Sequence, residues 1–126
     1  MNLPISWDRL QAIAQQEVTN VMASLPAELH NSTAAVSVCY ETVPAHSPAA
    51  EGLGDDLLGL FVGPDLASED EHGALPPQII LFLDSLWEYC ASDEAAFREE
   101  VRVTYLHELG HYLGLDEDEV EERGLL

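Results

Sequence analysis

The sequence predicts one small α+β domain, and three observations predict it. Apolar residues near the N-terminus recur at helical spacing, three short runs in the middle have the composition of strands, and the longest helical period lies near the C-terminus. At 126 residues the chain has the length of a single domain over 1–126, enough to close a hydrophobic core without cross-links. Leu, Ile, Val and Phe supply 35 of those residues, a share well above that of disordered chains.

From Ser6 to Leu25, the residues Trp7, Leu10, Ala14, Val18, Val21 and Leu25 step by three or four, the period of an amphipathic helix. Ser6 is placed as its N-cap and Pro26 as its stop, and the apolar face reads as core packing. Residues 35–43 alternate and are rich in β-branched side chains, which predicts a half-buried strand with Cys39 on the face opposite Val36, Val38 and Tyr40. A loop rich in Pro, Ala, Gly and Ser spans 44–54, followed by a second strand over 57–62 and an acidic, turn-like stretch over 65–73. Residues 78–83 are nearly all apolar, as in a strand covered on both faces. Asp84 is placed to cap a short helix through Tyr89. The longest helix is expected to start at Ser92 or Asp93, to run through Phe97, Val101, Tyr105 and Leu109 to Leu113, and to end on Gly114 in the left-handed conformation. A final short helix would start at Asp116, with Glu119 completing a capping pair.

Charge narrows the function. There are 24 acidic residues against four arginines and no lysine, a formal net of −20. Nucleic-acid binding needs clustered cations to displace counterions, and an anionic membrane surface needs the same, so neither is expected as a partner. No apolar run approaches a membrane span, and the first residues lack the basic start and apolar stretch of a signal peptide. Cys39 and Cys90 are too few and too far apart for a disulfide framework. These features point to a reducing compartment, and the protein is expected to be cytoplasmic and monomeric.

The chemistry is concentrated in His107-Glu108-Leu109-Gly110-His111. On a helix, His107 and His111 lie one turn apart on the same face, so both imidazoles reach one divalent metal ion. Glu108 comes next round the surface, close to the metal without ligating it, where a general base for water must sit. Gly114 breaks the helix within a turn of His111 and lets the chain return a third, oxygen ligand. With five histidines and fifteen glutamates in the chain, the motif has a chance expectation of roughly 0.02, and around 0.001 once Gly114 is required. The structural alternative is two solvent-facing histidines on an acidic helix.

Extended to His107-Glu108-Leu109-Gly110-His111-Tyr112-Leu113-Gly114-Leu115-Asp116-Glu117, the motif follows the zincin pattern, and the chain resembles the minimal zincin-like metallopeptidases of bacteria. The likeness includes Leu57-Leu58-Gly59-Leu60-Phe61-Val62-Gly63, Pro77-Gln78-Ile79-Ile80-Leu81-Phe82, the Glu100–Leu106 approach to the motif and the acidic close at 116–121. It implies a minimal zincin-like α+β fold, a few-stranded sheet packed against the N-terminal and motif helices, and zinc-dependent peptide hydrolysis. The zinc ligands it implies are His107, His111 and Glu117, with Glu108 as general base. The family usually carries Asp where this chain has Glu117, three residues after the turn glycine; glutamate is also a competent zinc ligand. Asp116 and Glu121 are the alternative third ligands, Asp116 having the competing role of capping the last helix.

The remaining polar candidates carry less. His30 and His46 are expected to be exposed, His72 sits in the acidic stretch where it could reach a metal, and Tyr105 and Tyr112 have the spacing of core residues. Two functions from different classes remain. One is a metallopeptidase acting on peptides or unfolded protein laid along a strand edge, with a preference for cationic substrates. The other is a non-catalytic metal-binding module that regulates or binds partners on the same fold.

Overall fold

A computed structural model describes residues 5–68, 76–115 and 118–119. Ser6, with extended backbone, accepts the Arg9 N–H on its Oγ at 3.1 Å and opens helix α1, Trp7–Ser24. Leu25 leaves helical geometry ahead of Pro26, which cannot continue it. Of the expected face, Leu10, Ala14, Val18, Val21 and Leu25 are buried and Trp7 is half-buried, and Ile13 joins them in the core.

A turn at Ala27–Leu29 leads into a short helix, α2, His30–Ala34, that the sequence pattern does not announce. Its residues have no apolar period. It is held instead by Thr33, whose buried hydroxyl lies 3.0 Å from the Leu29 carbonyl and 3.1 Å from that of His30.

Three strands form one mixed sheet in the order β1-β3-β2: β1 is Ser37–Glu41, β2 is Gly59–Val62 and β3 is Gln78–Phe82. β1 runs parallel to β3, with Cys39 opposite Ile80; β2 runs antiparallel to it, with Phe61 opposite Ile79. Both outer strands are shorter than their sequence patterns, β1 by four residues and β2 by two. The proline-led turns Pro44–His46 and Pro48–Ala50 occupy the loop between β1 and β2.

The central strand is covered on both faces. Ile79 and Leu81 join Val38, Tyr40 and Phe61 on the helical side, whereas Ile80 and Phe82 join Cys39, Leu60, Val62 and Ala50 on the other. Cys39 thus faces away from Val36, Val38 and Tyr40 as expected, and both cysteines are free thiols.

Helix α3, Leu83–Tyr89, follows β3 without a loop. This corrects the expected cap: Phe82 is the N-cap and supplies no side-chain bond, while Asp84 lies inside the first turn with its N–H on the Thr42 carbonyl at 3.1 Å. Two non-glycine residues with positive φ, Ala91 and Ser92, then turn the chain into helix α4, Glu94–Leu113. Asp93 is the N-cap, accepting the Ala96 N–H at 3.2 Å. Gly114, with φ 75°, ends the helix, and the Leu115 N–H returns to the Gly110 carbonyl at 2.8 Å.

Helix α4 packs on α1 along one side and on β2 and β3 along another. Phe97, Val101, Tyr105, Leu109 and Tyr112 are fully buried in that double contact. The seam with α1 is also charged: Glu17, largely buried, receives Arg98 at 3.2 Å and Arg102 at 3.8 Å, while Arg9 reaches Glu94 at 3.0 Å. Among the described residues no helix is long and apolar enough to cross a membrane.

Candidate metal centre

One turn of α4 brings His107 and His111 together on its solvent side. Their Nε2 atoms are 3.3 Å apart, with ring centroids 4.9 Å apart and planes nearly perpendicular at 87°. Two nitrogen ligands at ~2.0–2.1 Å from a tetrahedral ion stand about 3.3–3.4 Å apart, so the imidazoles are spaced as a zinc pair would be.

Glu108 differs from its neighbours by being buried, 8% exposed, although it is charged and its helix is amphipathic. Its Oε2 lies 4.0 Å from His107 Nε2, and one ligand atom from each of His107, Glu108 and His111 falls within 4.8 Å of the others. The carboxylate also accepts the backbone N–H of Phe61 on β2. Burial pushes the Glu108 carboxyl above the ordinary glutamate range; the charges of His111 and His107 and the Phe61 N–H oppose that rise. A carboxyl so placed is more basic than an exposed one, as proton abstraction requires.

The Phe61 bond follows from sheet register. The Phe82 N–H bonds the Leu58 carbonyl at 3.0 Å, so alternate residues of β2 pair with β3 and the backbone of Gly59 and Phe61 faces outward. β2 is an edge strand, and its free side runs past the motif. The strand comes this close because position 59 is glycine: a Cβ there would stand 2.7 Å from Thr104 Cγ2 and 3.4 Å from Glu108 Cγ. A glycine inside a strand pattern is a signal of such close approach, and it was present in the sequence.

Asp116, Glu117, Glu121 and His72 lie outside the described residues, so the third carboxylate and the Asp116 cap have no structural description. His30 and His46 are exposed as expected. Tyr105 and Tyr112 are completely buried, in keeping with a core role.

Comparison with curated proteins gives no match. The pattern of the zincin-like metallopeptidases matches residues 33–125, taking in α4 and all three strands and leaving α1 ahead of it. The chain belongs to the zincin-like metallopeptidase family.

Proposed function

We propose that the protein is a zinc-dependent metallopeptidase in which His107 and His111 hold the ion and Glu108 is the general base. Members of this family typically bind zinc. One observation carries the assignment of roles: two imidazole nitrogens spaced for a single ion stand beside a buried carboxylate whose basicity is raised. Glu117 is the third ligand, by its position three residues after Gly114.

Zinc, when bound, acts as a Lewis acid that makes water more acidic and polarises a carbonyl. The protein supplies the remainder. The Glu108 carboxylate takes the water proton during attack on the scissile carbonyl and delivers it to the leaving amine. The Phe61 N–H fixes the carboxylate, so little reorganisation is needed when the proton arrives. An extended peptide lies along the outer edge of β2 and bonds the outward-facing backbone of Gly59 and the Phe61 carbonyl.

The decisive test is Glu108→Gln. The amide cannot accept the proton, so the variant keeps zinc, measured by mass spectrometry on protein purified without a histidine tag, and loses peptide hydrolysis. Hydrolysis at the wild-type rate overturns the role of Glu108. A wild type that binds zinc and cleaves no peptide is instead the non-catalytic module. Glu117→Ala is expected to lower zinc affinity at least ~10–100-fold while the protein stays folded.

A further inference from the structure

Beside His107 a cavity of about 340 Å³ opens between α4 and the segment leading into β2. Its size is at the lower end for ligand pockets, about 300–1,000 Å³, and suits one long side chain. Leu57, Leu58 and Val103 give it an apolar lining, and Asp56 and Glu100 give it two carboxylates. His107 and Glu108 form part of the same wall, so the cavity is continuous with the proposed metal centre.

Among the described residues no arginine lines it. Arg9, Arg98 and Arg102 are drawn to Glu94 and Glu17 along the seam between α1 and α4, where Arg98 and Arg102 leave α4 on a different side from Glu100 and His107. The protein therefore supplies a cavity with an apolar lining and carboxylates in its wall, with its described cations committed elsewhere. That is the complement of an arginine or lysine side chain, which carries an apolar stem and a cationic head.

We infer that this cavity is a specificity subsite that takes an arginine or lysine side chain of the substrate, with Asp56 and Glu100 receiving the charge. The inference rests on the peptidase reading for the position of the scissile bond, but the cavity's preference is measurable without turnover. It also differs from a bulk effect of the −20 charge, because it assigns the preference to two side chains.

The test uses the zinc-loaded full chain and two dye-labelled extended peptides that differ only in a central Arg or Met. Fluorescence anisotropy reads binding, and product formation reads hydrolysis. Wild type is expected to bind the Arg peptide roughly five- to tenfold more tightly. Glu100→Gln and Asp56→Asn each shrink that ratio toward one. Glu99→Gln removes the same charge from an exposed position one residue away and keeps the ratio. A wild-type ratio of one overturns the subsite, as does an equal loss in Glu99→Gln, which marks a bulk charge effect. A preserved ratio with no cleavage of either peptide supports the subsite and overturns the peptidase reading. Cleavage of both peptides with equal affinity does the reverse.

Discussion

Gly59 on the edge strand and Thr104 on the motif helix meet with no room for a side chain between them, since a Cβ at 59 would lie 2.7 Å from Thr104 Cγ2. The neighbouring atom belongs to a β-branched side chain on a packed helix, so it does not swing aside. Gly59→Ala therefore pushes β2 from α4 and draws the Phe61 N–H off Glu108. The expected cost is about 1–3 kcal/mol of stability together with loss of hydrolysis. Thr104→Ser removes the methyl that is struck, so the double variant should recover most of the loss. A thermodynamic cycle from denaturant unfolding of the four proteins checks this; simple additivity would refute the contact as the cause.

Zinc should stabilise the fold, because the histidine pair is brought together only in the folded chain. At a free concentration 100 times Kd the gain is about 2.7 kcal/mol, seen as a rise of several degrees in the thermal midpoint. Chelation should reverse it. His111→Ala should melt close to the metal-free wild type and show no rise on adding zinc.

The Tyr105 hydroxyl is buried and meets no hydrogen-bond partner among the described residues. Tyr105→Phe removes a desolvated polar group and leaves no orphan behind. At neutral pH it is expected to stabilise the protein by about 1 kcal/mol, measured by denaturant titration. A destabilised variant would mean that the hydroxyl is satisfied in solution.

Tyr40 and Tyr105 also set the alkaline limit. Burial pushes both phenols up to about 12 from 10.0. The unfolded chain releases these protons as pH rises through 10, whereas the folded chain holds them until about 12. The unfolded state then carries fewer protons, and stability falls with rising pH across that window. Tyrosinate absorbance should rise together with loss of secondary structure, and Tyr105→Phe should flatten the slope.

The helices α1 and α4 and the three strand positions were legible in the sequence because each has its own period or composition. The caps at Ser6, Asp93 and Gly114 were legible because each is a local hydrogen-bonding device. Helix α2 was hidden, since its stability comes from the Thr33 hydroxyl and burial rather than from any apolar spacing. Asp84 misled for a related reason: the extended cap position falls two residues earlier, on Phe82, whose side chain has no polar atom to receive an N–H.

In the site, the spacing of His107 and His111 was sufficient to bring their nitrogens to one point, because four residues on a helix fix that geometry. The bond between Glu108 and Phe61 was not legible. It depends on which edge of β2 stays unpaired, and that follows from a strand order joining Ser37 to Gln78 across 40 intervening residues. The cavity at Asp56 and Glu100 depends on the same long-range placement.

Helix α4 divides its labour by face. Phe97, Val101, Tyr105, Leu109 and Tyr112 hold the molecule together, while Glu100, Val103, His107 and His111 look outward. Glu108 belongs to both sets, being buried and yet beside the histidines, and Thr104, one turn earlier, is likewise buried and lines the cavity. On the proposed reading the chemistry is therefore detachable from the scaffold: substitutions at the exposed positions 107 and 111 would remove the metal ligands without opening the interior. A copy without the two histidines would still present the edge of β2 and the acidic cavity. The same separation suits redesign, because a new reaction could be written on the outer face of α4 with the packing of the inner face left untouched.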